Sequence, residues 1–137
     1  MSTAPGTRSS VLVVPTYNER ENIERFLKTV RQANPELAII VVDDLSPDGT
    51  GQIVEELIKS DARLSIIHRS GKKGLGAAYL AGFDRALERG YDNVLTMDAD
   101  FSHDPAVIPA LISALERPAD VAIGSRYTPF KIGRAHV

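Results

Sequence analysis

Asn93-Val94-Leu95-Thr96-Met97-Asp98-Ala99-Asp100 is an apolar, β-branched run that ends in two aspartates one residue apart. Such a run predicts a buried strand that delivers two carboxylates to its carboxyl end. Residues i and i+2 of an extended chain project to the same side, so Asp98 and Asp100 can face one point. Two oxygen donors there suit Mg²⁺ or Mn²⁺, with phosphate oxygens completing the coordination shell. A solvated loop in which Ser102 or Asp104 caps a helix explains the same residues and is the better explanation for so short a motif alone.

Composition sets limits on the class of protein. The chain has 137 residues, 43% of them hydrophobic and 25% charged, which is ordinary for one soluble globular domain or part of a larger protein. A net charge of −2 and 6% aromatic residues give no basic or stacking surface, so we expect no nucleic-acid partner. The absence of cysteine leaves only oxygen and nitrogen ligands for a metal and is compatible with a cytoplasmic location.

Apolar runs alternate with amphipathic segments along most of the chain. The spacing of apolar residues predicts helices over residues 20–32, around 53–58, from the glycine-rich stretch at 71–76 to about 88, and from 107 to 115. The predicted strands are residues 10–15, 37–42, 64–67, 93–97 and 120–124. Continuous apolar strands that alternate with helices predict a three-layer α/β/α domain with a mainly parallel sheet, spanning residues 10–130. Residues 1–9 are small and polar, and we expect them to be flexible.

Polar residues follow every predicted strand at its carboxyl end. Because the carboxyl ends of parallel strands meet at one edge, where ligands of such sheets bind, we expect one common site. The clusters are residues 15–19 (PTYNE), Asp43-Asp44, His68-Arg69, Asp98-Ala99-Asp100 and residues 124–127 (GSRY).

Each cluster also has a structural explanation. Asn18 or Glu19 can cap a helix, and Tyr17 can pack in the fold as well as stack on a nucleobase. Two adjacent buried carboxylates after the second strand are costly without donors from a ligand or metal, which favours function there. The loop at residues 71–76 carries two lysines and can bind phosphate at a helix amino terminus or remain a basic loop. Arg126 can clamp a diphosphate or lie at the surface.

Five ordered motifs together resemble one family. They are residues 15–22 (PTYNEREN), 43–50 (DDLSPDGT), 73–79 (KGLGAAY), 97–105 (MDADFSHDP) and 124–127 (GSRY). The sequence is similar to the polyprenyl (dolichyl) phosphate mannosyltransferases, which are inverting family 2 glycosyltransferases with the GT-A fold, a Rossmann-like nucleotide-sugar-binding domain. The resemblance implies transfer of mannose from GDP-mannose to a polyprenyl phosphate with Mg²⁺ or Mn²⁺. It also implies a cytoplasmic protein that lies peripherally at the inner face of the membrane.

The resemblance further implies roles for individual residues. Asp98 and Asp100, with the backbone of Ala99, would form the metal and diphosphate site, and Arg126 would lie by the donor diphosphate or the acceptor phosphate. Ser102 stands where some relatives carry a glutamine as a third metal ligand. The residues implied to contact the nucleotide are Pro15, Tyr17, Glu19, Val42 and Asp44.

The end of the chain departs from the family pattern. Residues 131–137 have no apolar pattern that continues the fold, and a common sequencing-adapter sequence encodes Ile132 to Val137. We therefore expect residues 131–137 to be a non-native tail and the GT-A domain over residues 10–130 to be an incomplete, donor-binding part. Two alternatives stay open: a family 2 enzyme with another donor such as UDP-glucose or another acceptor, and a catalytically silent nucleotide- and metal-binding module.

Overall fold

A computed structural model describes residues 10–71, 74–115 and 130–131, and in these ranges strands and helices alternate. The strands are β1 Ser10–Thr16, β2 Ala38–Asp43, β3 Leu64–His68, β4 Asn93–Thr96 and β5 Phe130–Lys131. The helices are α1 Ile23–Ala33, α2 Thr50–Ile58, α3 Leu75–Glu88 and α4 Ile108–Leu115, and a single 3-10 turn, Pro105–Val107, leads into α4. The predicted α/β class is confirmed.

The strands form one sheet in the order β3-β2-β1-β4-β5. The first four strands are parallel, and β5 runs antiparallel to β4, with Val94 opposite Phe130. The register places Thr16, Asp43 and His68 side by side, so β1, β2 and β3 end at one edge. The mainly parallel sheet is therefore confirmed, whereas the predicted strand over residues 120–124 lies outside the described residues.

Helices cover both faces of the sheet, as predicted for three layers. Alternate residues of β1 point to opposite faces, with Leu12 and Val14 in one buried cluster and Val11 and Val13 in the other. On the first face α1 contributes the predicted stripe of Ile23, Phe26, Leu27 and Val30, all buried. On the second face α3 packs across β1 and β2 through its small buried residues, which are Ala78, Gly82 and Ala86.

Helix α3 lies unusually close to the sheet at Gly82. A Cβ atom on Gly82 would lie 2.4 Å from Cγ1 of Val13, a separation that real Cβ atoms essentially never show. A glycine at this point therefore sets the distance between the helix and β1.

The loops at the carboxyl edge differ in detail from the prediction. The first helix begins at Ile23 rather than near residue 20, because a turn precedes it. In this turn the Glu19 carbonyl accepts hydrogen bonds from the N–H groups of Asn22 and Ile23. The fourth strand ends at Thr96, and Met97 still donates its N–H to the Val13 carbonyl at 3.3 Å. Among the described residues, no helix is long and apolar enough to cross a bilayer.

Candidate functional site

A cleft of about 280 Å³ opens at the carboxyl edge of the sheet. The loops after β1, β2 and β4 form its walls, together with the start of α3. Its lining residues are Pro15, Thr16, Tyr17, Glu19, Asp44, Gly74, Leu75, Ala78, Asp98 and Asp100. The structure thus brings together six residues that the sequence nominated: Pro15, Tyr17, Glu19, Asp44, Asp98 and Asp100.

The Asp98 carboxyl group is half-buried in this cleft. Its burial raises the pKa above the ordinary 3.8, and the negative charge of Asp100 raises it further, while a hydrogen bond from Tyr79 acts in the opposite direction. The Tyr79 Oη donates to Asp98 Oδ1 at 3.4 Å. Burial and the charge of Asp98 in turn raise the pKa of Tyr79 to about 12, so its hydroxyl keeps its proton at neutral pH.

Asp100 lies two residues further on and is exposed. Its pKa lies below the ordinary 3.8, chiefly because the side chain and the backbone N–H of Ser102 donate hydrogen bonds to it; the N–H lies 2.9 Å from Oδ1. The two aspartates therefore share one cleft but have environments that shift their pKa values in opposite directions.

Glu19 is a further carboxyl group in the cleft, close enough to interact with Asp98 and Asp100. Its burial raises the pKa above 4.5, and the charges of Asp100 and Asp98 raise it further, whereas a hydrogen bond from Asn22 lowers it. The mutual repulsion shows that these acids concentrate negative charge, which a divalent cation would neutralise. In the described ranges no three Asp, Glu, His or Cys side chains are grouped to hold a metal. Asp98 and Asp100 could supply two ligands, and a bound ligand or water would supply the rest.

The two adjacent aspartates after β2 have different surroundings. Asp43 is buried and accepts hydrogen bonds from Thr16 Oγ1 at 2.7 Å and from Ser46 Oγ at 2.6 Å, so it holds the edge of the sheet together. Asp44 instead lines the cleft, where its Oδ1 lies 3.1 Å from Arg69 Nη1. Within the described part of the chain neither of these two buried atoms makes a well-aligned hydrogen bond. The ion pair compensates their charges, and a water or a ligand in the cleft could supply the hydrogen bonds that are missing.

A network of hydrogen bonds joins the loops after β1 and β2. Asn18 donates its N–H to Ser46 Oγ at 2.9 Å, and Arg20 donates its N–H to Asp48 Oδ2 at 3.0 Å. Slight burial acts to raise the pKa of Asp48, but hydrogen bonds from Thr50 and Arg20 lower it below 3.8. Asp48 also accepts the Thr50 N–H at 3.0 Å. The segment after β2 is therefore a turn that leads into α2 and is held by hydrogen bonds to the Asp48 side chain.

Three non-glycine residues around the cleft have left-handed backbone conformations. Asn18, Leu45 and Phe101 follow β1, β2 and β4, with φ angles of 56°, 55° and 61°. Phe101 packs edge-on against Phe26, with 5.6 Å between ring centroids, and Arg25 lies 4.4 Å over its ring. Such conformations cluster at functional sites, where the surrounding structure maintains them.

Two nominated residues, Val42 and Ala99, are described by the structure and do not line the cleft. Val42 is fully buried with its side chain in the core, so only its main chain could reach a ligand. Ala99 is also fully buried, which agrees with a role through its backbone alone. Arg126, together with Lys72 and Lys73 of the glycine-rich loop, lies outside the described residues.

The sequence predicted no specific role for Tyr79 or Arg69, although it placed the pair His68-Arg69 among the clusters of the expected common site. Tyr79 ends the motif at residues 73–79, and Arg69 ends the polar pair after β3, so both stood in segments that the sequence singled out. The contacts of Tyr79 with Asp98 and of Arg69 with Asp44 could not be predicted from the sequence, because they depend on how closely α3 and β3 pack beside the cleft.

Comparison with known proteins identifies the family of the chain. The profile described as glycosyl transferase family 2 matches residues 11–135. The chain belongs to glycosyl transferase family 2. Curated relatives include a polyprenol monophosphomannose synthase of Mycolicibacterium smegmatis, which is 50% identical over 93% of this chain and 49% of its own length. An undecaprenyl-phosphate mannosyltransferase of Micrococcus luteus is 49% identical over 85% of this chain and 48% of its own length.

A more distant family 2 relative is the dolichol-phosphate mannosyltransferase of Pyrococcus furiosus, 44% identical over 85% of this chain and 32% of its own length. The chain thus spans about half the length of the first two relatives and a third of the last. Among solved structures, a mannosyltransferase of Pyrobaculum calidifontis in complex with GDP-Man and Mn²⁺ matches with a TM-score of 0.71 and 20% identity, over 90% of this chain and 44% of that one. This likeness confirms the GT-A fold.

Proposed function

We propose that the protein transfers mannose from GDP-mannose to a polyprenyl (dolichyl) phosphate and that this chain supplies the donor-binding part. The observation that carries the proposal is the position of Asp98 and Asp100, which line the same cleft as Tyr17, Glu19 and Asp44. The names of the curated relatives support the sugar and the acceptor class. The GDP-Man in the Pyrobaculum calidifontis structure supports the donor.

The nucleotide would lie along the loops after β1 and β2. Tyr17 has an exposed ring that can stack on the guanine, and the buried Asp44 can accept hydrogen bonds from guanine N–H groups. Pro15 and Glu19 line the same part of the cleft, and Val42 would contribute main-chain contacts. Arg69 would hold the Asp44 carboxylate in place through their ion pair.

The diphosphate would lie beside the β4 loop. Asp98 and Asp100 would hold Mg²⁺ or Mn²⁺, which when bound neutralises charge on the diphosphate leaving group. The Ala99 backbone would border the same group, and Arg126 would lie by the donor diphosphate or the acceptor phosphate. The concentrated negative charge of Asp98, Asp100 and Glu19 is the observation that fits a cation there.

The reaction would be a single displacement. An oxygen of the polyprenyl phosphate forms the new bond to the mannose C1 while the bond from C1 to the GDP oxygen breaks, so the anomeric configuration inverts. A phosphate monoester has its second pKa near ~6 and is largely ionised at neutral pH, so it can attack without a strong general base. The lipid acceptor would bring the protein to the membrane surface, and we propose peripheral action at the cytoplasmic face.

Calorimetric titration tests the donor site. With Mn²⁺ present, GDP-mannose should bind more tightly than UDP-glucose, and Asp98→Asn or Asp100→Asn should remove the Mn²⁺-dependent part of that affinity. Asp92→Asn is the matched control, because it removes the same charge from an exposed residue just before β4, at the opposite edge of the sheet. Tighter binding of UDP-glucose would reject the proposed donor, and unchanged binding by both cleft variants would reject the metal role.

A transfer assay separates an enzyme from a silent binding module. The product of the complete gene, supplied with labelled GDP-mannose and a polyprenyl phosphate, should form the mannosylated lipid. Nucleotide binding without transfer would instead support the catalytically silent module.

A further inference from the structure

We infer that Tyr79 is a positioning residue that holds the Asp98 carboxylate for a divalent cation, an inference that rests on the proposed donor site. Tyr79 lies on α3 next to Ala78 of the cleft lining, and its side chain is partly buried against the core cluster on the second face of the sheet. Its Oη donates to Asp98 Oδ1 at 3.4 Å. This separation is longer than an optimal O–H···O hydrogen bond, so the contact in the described structure is a weak one.

Three features of the structure position the Tyr79 side chain. Its ring stacks on Phe83, with 6.2 Å between centroids and 15° between the ring planes. The absence of a side chain at Gly82, one turn along the helix, brings α3 close to Val13 and so brings Tyr79 within reach of β4. The Thr96 side chain also interacts with the Tyr79 hydroxyl, and this hydrogen bond acts to lower the Tyr79 pKa against the larger effects of burial and Asp98.

This arrangement gives each aspartate of the pair its own donor from the protein. Ser102 donates its N–H to Asp100, and Tyr79 donates its hydroxyl to Asp98. A carboxylate held through one oxygen can offer its other oxygen to a metal in a fixed orientation. Partners of this kind strengthen metal binding, and their removal typically weakens it by about 10- to 100-fold.

Replacing Tyr79 by phenylalanine tests the hydroxyl separately from the ring. Tyr79→Phe keeps the stacking on Phe83 and loses only the donor to Asp98. We expect Tyr79→Phe to bind Mn²⁺ at least about tenfold more weakly than the unmodified chain. The affinity is measured by titrating Mn²⁺ in the presence of GDP, followed by calorimetry and by the Mn²⁺ electron paramagnetic resonance signal. GDP affinity in EDTA should be unchanged. Tyr91→Phe is the control, because Tyr91 packs in the same core cluster but lies before the amino end of β4.

Two further variants show whether Tyr79 acts through Asp98. At Mn²⁺ concentrations high enough to detect the binding that remains in an Asp98→Asn background, Tyr79→Phe should cause no additional loss of Mn²⁺ affinity, since the ligand that it positions is already gone. Thr96→Val removes the hydroxyl that bonds to Tyr79 and keeps a β-branched strand residue, so it should weaken Mn²⁺ binding in the same direction. It also tests the inference independently if Tyr79→Phe does not fold.

The outcomes separate this inference from the proposed function. Absence of Mn²⁺-dependent GDP binding in the unmodified chain would overturn the proposed donor site, and this inference with it. Mn²⁺-dependent binding that survives unchanged in folded Tyr79→Phe would overturn this inference alone. If Tyr79→Phe lost GDP affinity equally with Mn²⁺ and with EDTA, the inference would also be overturned. That result would indicate that Tyr79 supports the packing of the cleft rather than the orientation of a metal ligand.

Discussion

Asp98 and Asp100 illustrate how two identical side chains acquire different properties two residues apart. Burial and a like charge raise the pKa of Asp98, whereas hydrogen bonds from Ser102 lower that of Asp100. Asp98 therefore bears its charge in an unfavourable environment, beside Asp100 and Glu19. An ionised side chain in such an environment lowers the stability of the fold, and residues that do so are typical of functional sites.

Removing the Asp98 charge should stabilise the metal-free protein. Asp98→Asn keeps the shape of the side chain and ends the repulsion with Asp100, so we expect the free energy of unfolding to rise by about 0.5 kcal/mol or more at neutral pH in EDTA. Urea denaturation followed by circular dichroism measures the change, with Asp92→Asn as the control. An Asp98→Asn protein that is less stable than the unmodified chain would contradict the electrostatic account.

The pH dependence of both stability and metal binding follows from the raised pKa of Asp98. A carboxyl group whose pKa is raised on folding stabilises the fold below its ordinary pKa of 3.8, and this contribution is lost as the pH rises through the folded value. Mn²⁺ needs the ionised form, so its affinity should fall as the pH decreases through that same raised pKa. Mn²⁺ titrations across this range should give a midpoint above 3.8; a midpoint at or below it would be inconsistent with the burial of Asp98.

At the scale of elements, the packing of α3 on β1 determines the position of the α3 residues beside the cleft. The helix presents Ala78, Gly82 and Ala86 to the sheet, and Gly82 makes the closest approach. Tyr79 precedes Gly82 by three residues, about one turn of the helix, so the helix–sheet spacing sets the reach of its hydroxyl toward Asp98.

Two glycines of α3 allow a matched test of this packing. Gly82→Ala would place a Cβ atom 2.4 Å from Val13, and we expect the resulting strain to lower the free energy of unfolding by about 1–3 kcal/mol. Gly76→Ala lies in the first turn of the same helix with no atom within 4 Å of the new Cβ, and it should raise stability by about 0.5–1 kcal/mol. Thermal and urea denaturation of both variants give the comparison, and similar effects at the two sites would show that α3 does not depend on this contact.

The sequence predicted the elements well because each has a clear apolar pattern. The stripe of Ile23, Phe26, Leu27 and Val30 defined α1, and continuous apolar runs defined β1 and β2. The boundaries were less accurate because they depend on loop contacts. The turn at Glu19 delays the start of α1, and no property of that segment alone separates such a turn from a first helical turn.

For the molecule as a whole, the strand order places the most buried strands at the centre of the described sheet. Every residue of β1 is buried, whereas most of β3 is only partly buried at the edge. Amide hydrogens of β1 should therefore exchange with solvent more slowly than those of β3, because the central strand opens only when the core opens. Hydrogen-exchange mass spectrometry or NMR measures this order. Equal protection of β1 and β3 would indicate that something outside the described residues covers that edge.

The position of the site could be predicted from the sequence, but its internal contacts could not. A parallel sheet with polar residues after each strand is enough to bring Glu19, Asp44 and Asp98 to one edge. Nothing in the pair Asp43-Asp44 shows which carboxylate holds Ser46 and which faces the cleft, since that depends on the direction of each side chain. The contact of Tyr79 with Asp98 likewise depends on the distance between α3 and β1.

The left-handed residues beside the cleft have a consequence for directed evolution. Asn tolerates such a backbone at Asn18, and Phe101 is compensated by its packing on Phe26, but Leu45 is 63% exposed and gains neither benefit. In a saturation library selected for thermal tolerance, Asn or Gly should therefore be enriched at Leu45 more than at the other two positions. Val and Ile should be depleted at all three. The left-handed backbone would thus restrict which amino acids these three positions accept.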